Sequence, residues 1–89
     1  MDGRHLILNP GPNQIELPGS EAGYADGVLW LYLADVTLPE AFALLTVPEH
    51  TATIAYQYGE MEDRYEGYNS LTAIFADGDM TRAALRRDS

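Results

Sequence analysis

Four carboxylates crowd into seven residues at Glu60, Glu62, Asp63 and Glu66, the densest run of potential chemistry in the chain. Oxygen ligands in such number could hold Ca²⁺ or Mg²⁺. The spacing is not that of a calcium-binding loop, and Arg64 sits in the middle, so a solvated hairpin tip is the better reading. Asp77-Gly78-Asp79 looks like a fragment of a calcium loop, but a hairpin turn explains it fully. A glycosidase acid and base would need two carboxylates held about 5–10 Å apart across a cleft, for which so small a chain offers few places. His5 and His50 are the only imidazoles, and nothing pairs either with a nucleophile. No nucleophile elbow, P-loop or dinucleotide fingerprint occurs. No catalytic, cofactor-binding or metal-ligating residue is assigned, and neither an enzyme nor a cofactor is expected.

The tyrosines carry more. Tyr24, Tyr32, Tyr56, Tyr58, Tyr65 and Tyr68, with Trp30, supply amphipathic rings of the kind enriched at protein interfaces. Tyr32 and Tyr56 read as rings that finish a small core. Tyr58, Tyr65 and Tyr68 surround the acidic hairpin, where rings framed by carboxylates could receive an arginine- or lysine-rich partner. The candidate interaction surface is therefore Tyr58, Glu60, Glu62, Asp63, Tyr65, Glu66 and Tyr68.

Eighty-nine residues with 14 acidic and 5 basic side chains give a net charge of −9. That is a single domain with one modest core. Cysteine is absent, which removes disulfides, thiolate metal sites and cysteine nucleophiles. There is no lysine, and from His5 to Thr81 the only basic side chain is Arg64, against 12 carboxylates. Nucleic-acid affinity rests on cations displacing condensed counterions, so this surface excludes direct DNA or RNA binding, and an anionic membrane surface is disfavoured likewise. A basic protein partner fits it. No secretory signal is recognised, and the longest apolar run, Val28 to Ala34, has seven residues against about 20 for a membrane span. The expected location is a bacterial cytoplasm or a virion.

The elements that must position these residues follow from periodicity. His5–Leu8 and Gln14–Leu17 read as short strands around Asn9-Pro10-Gly11-Pro12-Asn13, and residues 1–27 as a loosely structured hairpin and loop region. In Val28 to Leu33, Val28, Trp30 and Tyr32 alternate with Leu29, Leu31 and Leu33, which predicts a central strand covered on both faces, or one covered by the following helix and partly by the N-terminal segment. Thr37-Leu38-Pro39-Glu40 fits a capping box. Behind it Leu38, Ala41, Phe42 and Leu45 form one stripe, so a two-turn helix should run from Leu38 to Leu45 with Phe42 as its anchor. Pro48-Glu49-His50 reads as a surface turn. Thr51–Tyr58 alternates as a strand, and Arg64–Tyr68 returns, with a bulge expected at Gly67. A last hairpin joins Leu71–Ala76 to Met80–Leu85 through a three-residue loop that sets Leu71 opposite Leu85 and Ala73 opposite Ala83. Residues 86–89 read as a flexible tail, and no internal repeat of useful length is found. The expected class is α+β: a small twisted antiparallel sheet, curling towards a partial barrel, with one short helix packed on one face, in the order β-β-β-α-β-β-β.

Leu38-Pro39-Glu40-Ala41-Phe42, Pro48-Glu49-His50-Thr51 and Tyr65-Glu66-Gly67-Tyr68, in that order and followed by a hairpin, resemble small acidic phage and prophage proteins of Gram-positive gut bacteria over residues 28–87. That resemblance implies a viral accessory or particle component without catalysis, and it carries no functional residues across. The expected function is a non-enzymatic protein–protein interaction module, self-associating or joining a larger assembly, with no small-molecule substrate. The alternative is an acidic inhibitor that mimics nucleic acid on a basic host protein.

Overall fold

The computed structural model describes residues 3–87, folded as mostly antiparallel sheet with two short helices. Eight strands occur: β1 (Arg4–Leu8), β2 (Ile15–Pro18), β3 (Glu21–Ala25), β4 (Val28–Ala34), β5 (Thr53–Tyr58), β6 (Met61–Glu66), β7 (Ser70–Asp77) and β8 (Met80–Arg86). Helices α1 (Leu38–Leu45) and α2 (Pro48–Ala52) join β4 to β5. The strands form two four-stranded sheets, β2-β1-β5-β6 and β3-β4-β8-β7, not the single sheet expected, and neither closes into a barrel.

The second sheet arises at the corners. Gly19, at φ +79°, and Ser20 turn the chain from β2 in the first sheet to β3 in the second. A left-handed backbone is open to glycine without the clash a Cβ would bring. The Ser20 hydroxyl, fully buried, accepts from the Ala34 amide at 3.0 Å and ties this corner to the end of β4. The N-terminal region is thus three paired strands, with Leu6, Leu8 and Leu17 in the core. Arg86 ends β8 and is part of its ladder to β4, while residues 88 and 89 of the expected tail lie outside the described residues.

One core lies between the sheets. Leu6, Leu8, Leu17 and Ile54 from the first meet Leu29, Leu31, Leu33, Ala83 and Leu85 from the second. β4 is therefore buried on one face only. Leu29, Leu31 and Leu33 are inaccessible, whereas Val28, Trp30 and Tyr32 are half-buried on the other side. An unbroken apolar run reads as two covered faces, yet large rings can also sit on an outward face and cover their own sheet.

The sheets hide a two-fold pattern that the sequence does not show. Exchanging β1–β4 with β5–β8 maps each strand order onto itself in reverse. The pairs correspond as well: Leu6 opposite Leu17 in β1–β2 matches Ile54 opposite Tyr65 in β5–β6, and Ala22 opposite Leu31 matches Ile74 opposite Ala83. These positions share only their inward orientation.

Helix α1 spans the expected residues, and its capping box is complete. The Thr37 hydroxyl accepts from the Glu40 amide, and the Glu40 carboxylate accepts from the Thr37 amide at 2.9 Å. Its rotation differs from expectation. Ala41 and Leu45 enter the core with Leu44 beside them, while Phe42 is 54% exposed and is no anchor. The helix packs against β7, and its buried Ala41 and Leu45 join the core between the two sheets. The expected turn at Pro48 is instead α2, where Pro48 occupies the first turn and His50 Nδ1–H donates to the Leu44 carbonyl at 2.7 Å.

Candidate functional site

Three surfaces gather the side chains of interest, beginning with the acidic hairpin β5–β6. Strand alternation divides it. Tyr58 and Asp63 share the inward side with Tyr56 and Tyr65, whereas Glu62 and Glu66 share the outward side with Arg64. Glu60 sits in the Gly59–Glu60 turn. The Tyr58 hydroxyl donates to Asp63 at 3.0 Å, which raises its pKa above the ordinary 10.0. Glu62 accepts from Arg64 at 2.6 Å and from Gln57 at 2.9 Å, and both bonds lower its pKa.

Tyr65 and Tyr68 belong to a second group, built with Tyr24 of β3. Tyr24 and Tyr65 stack with centroids 6.3 Å apart, and Tyr68 stands edge-on to both at 5.9 and 6.2 Å. Tyr68 is only 7% exposed, joins the core, and carries Arg87 over its ring at 5.6 Å. Burial, first of all, pushes the Tyr65 and Tyr68 hydroxyls above their ordinary pKa; nearby Asp63 adds to the rise at Tyr65, and a hydrogen bond with Tyr24 at Tyr68. Gly67, at φ +81°, turns the chain out of β6 rather than making the expected bulge, so Tyr68 reaches the core from the loop. The seven candidate residues are thereby spread over two faces, a turn and the core.

A third surface was missed by the sequence reading. On the outward face of β3-β4-β8-β7, the pairings set Glu21, Tyr32, Arg82 and Phe75 side by side across all four strands. The Arg82 guanidinium lies 5.0 Å from the Trp30 ring centroid, 4.8 Å from that of Tyr32 and 5.5 Å from that of Phe75. Asp77 stands 3.5 Å from Arg82 Nη1, and the Tyr32 hydroxyl accepts from Nη2 at 3.5 Å. The Arg82 Nε–H is buried and has no hydrogen-bond partner among the described residues. Gly23, Ala84 and Ala73 flank Trp30 in its cross-strand row and leave the large ring standing above small neighbours. The period-two alternation of Val28, Trp30 and Tyr32 held this signal, but the basic residue among them lies 50 positions away in sequence.

The register of β7 on β8 explains how Phe75 comes to face Arg82. The loop has two residues, Gly78 and Asp79, with Gly78 at φ +62°. The expected Leu71–Leu85 pair forms, but Ala73 pairs with Ala84, not Ala83. A bulge at Thr72 absorbs the difference, and the Thr72 hydroxyl donates to the Ala84 carbonyl at 3.1 Å.

Two open depressions flank the start of α1. One, of about 410 Å³, is lined by Asp35, Val36, Glu40, Ala43 and Leu44. The other, of about 440 Å³, lies between residues 35–38 and the β7–β8 turn. Among the described residues, no group of three or more His, Asp or Glu side chains is placed to hold a metal ion, and no helix is long and apolar enough to cross a membrane.

No family model, curated protein or solved structure matches this chain.

Proposed function

We propose that the protein is a non-catalytic protein-binding module whose contact surface is the outward face of β3-β4-β8-β7. The arrangement of Trp30, Tyr32 and Phe75 around Arg82 carries this reading. Trp, Tyr and Arg are the residues in which binding energy concentrates at protein interfaces, where large rigid rings bury area at small entropic cost. Here the rings already hold the guanidinium, so little side-chain freedom is lost on docking. The setting we propose is self-association or entry into a larger assembly, as in a phage or mobile-element component.

Mimicry of nucleic acid is the second reading, favoured by the exposed Glu60, Glu62, Asp63 and Glu66 on a chain of charge −9. Salt separates the two, because contacts between exposed charges are screened at moderate ionic strength and ring contacts are not.

Photo-crosslinking tests the proposal. With benzoyl-phenylalanine at position 30 or 75 of the full chain, in extract of the source cell, protein adducts of defined mass should form and persist at raised salt. Adducts only from a probe at position 60, abolished by salt, would favour mimicry. No protein adduct from position 30 or 75 would overturn the binding face.

A further inference from the structure

We propose that β7 is an open docking edge that accepts an extended, basic peptide segment of the partner as an added antiparallel strand. The inference rests on the protein-binding reading and names where and what the module binds.

The four edge strands are not equivalent. β2 is four residues long and ends on Pro18, which has no amide hydrogen to offer. β3 has five residues, with Gly23 at its centre and Glu21 held by Arg4 at 2.8 Å. β6 carries Glu62, Asp63, Arg64 and Glu66 among its six residues, the charged edge that deters pairing. β7 is the longest at eight residues, and its run Leu71-Thr72-Ala73-Ile74-Phe75-Ala76 is without charge. Its ladder is to β8 alone, and no backbone hydrogen bond joins its other side to any described segment.

An unpaired edge of this length and composition is a template for another strand. Apolar groups stand ready beside it. α1 packs against β7 and leaves Leu38 and Phe42 exposed, and Phe75 of β7 is itself exposed. Among the described residues, three of the five exposed large apolar side chains therefore lie on these two touching elements.

Charge chooses the occupant. The exposed carboxylates Asp35, Glu40, Asp77 and Asp79 cluster at the C-terminal end of β7 and the start of α1, and Arg82 answers only Asp77. At this edge a second copy of the chain, whose net charge is also −9, would be repelled. A basic segment is attracted instead. Antiparallel pairing is the commoner mode, and it sets the N-terminal end of the added strand against these carboxylates. The partner segment thus has basic residues first and alternating apolar residues after them.

The test is an amide NMR titration of the full chain with a synthetic ten-residue peptide, two arginines followed by alternating valine and threonine. Saturable shifts are expected at residues 71–76, 38 and 42, with slowed hydrogen exchange at alternate β7 amides. The peptide with N-methyl groups on alternate residues, or with glutamates replacing the arginines, should bind about tenfold more weakly or worse. Shifts confined to β6 or to residues 30 and 32, equal binding of the N-methylated peptide, no saturable shift, or β7 shifts that track protein concentration without peptide would each overturn the proposal. Crosslinks from position 30 report on the protein-binding reading separately, so edge and face can fail independently.

Discussion

Leu31→Ala and Phe42→Ala separate the observed core from the one its sequence suggests. Leu31 is wholly inaccessible between the sheets, while Phe42 is 54% exposed on α1. Truncating a buried leucine costs the lost transfer energy plus the cavity left behind, about 3 kcal/mol or more. For a chain of this length total stability is on the order of 4–13 kcal/mol, so Leu31→Ala removes a large share of it. A loss of 3 kcal/mol corresponds to about 12–24 °C in Tm. Phe42→Ala leaves no enclosed cavity and should cost below about 1 kcal/mol. Urea unfolding followed by Trp30 fluorescence, with far-UV circular dichroism as a second probe, gives both values. A Phe42→Ala loss equal to that of Leu31→Ala would place the ring in the core and refute the two-sheet packing.

Other consequences follow from single contacts. Thr81, nearly inaccessible, donates its hydroxyl to the Val36 carbonyl at 2.7 Å, so the isosteric Thr81→Val should cost about 1–3 kcal/mol in urea unfolding by stranding that carbonyl. Thr37→Ala removes the cap of α1 and should cost about 1 kcal/mol. The hydrogen bond from the Thr37 amide, then that with its side chain, lowers the Glu40 pKa from the ordinary 4.5. Its contribution is therefore present above pH 4.5 and lost as pH falls through the lowered value. Thermal melts of Glu40→Gln and wild type should converge on acidification, and an unchanged gap would contradict the capping box. Tyr58, Tyr65 and Tyr68 have pKa values raised above 10.0, so their contribution is complete below pH 10 and lost as pH rises through the raised values. Phenolate absorbance should show at least three tyrosines titrating later in the folded chain than in urea.

What could be read from the sequence was local. The capping box needs only Thr37 and Glu40, three residues apart, and α1 begins and ends where that pattern places it. The strand from Val28 likewise carries its own alternation of leucines with larger rings. β3 was hidden because Gly23 and the preceding Pro18-Gly19-Ser20 mark a break, and it is held by its partner β4 rather than by propensity. The two sheets were hidden because a corner of two residues looks like a hairpin turn until one knows which strands pair across the core. The rotation of α1 was hidden because Phe42 is the largest apolar side chain on its stripe, while it is Ala41 and Leu45 that enter the core. The ring cluster around Arg82 joins β4, β7 and β8, whose alignment depends on a bulge at Thr72 that no local pattern reveals.

Trp30 is the sole tryptophan and stands on the face assigned to binding, so its fluorescence reports on that face directly. Acrylamide quenching of Trp30 should be measured in the free chain and in the chain saturated with the protein recovered by crosslinking. The binding-face account predicts that quenching falls in the complex, and that Arg82→Ala weakens the complex while leaving the fold intact. Unchanged quenching in a saturated complex would place the contact elsewhere and contradict it.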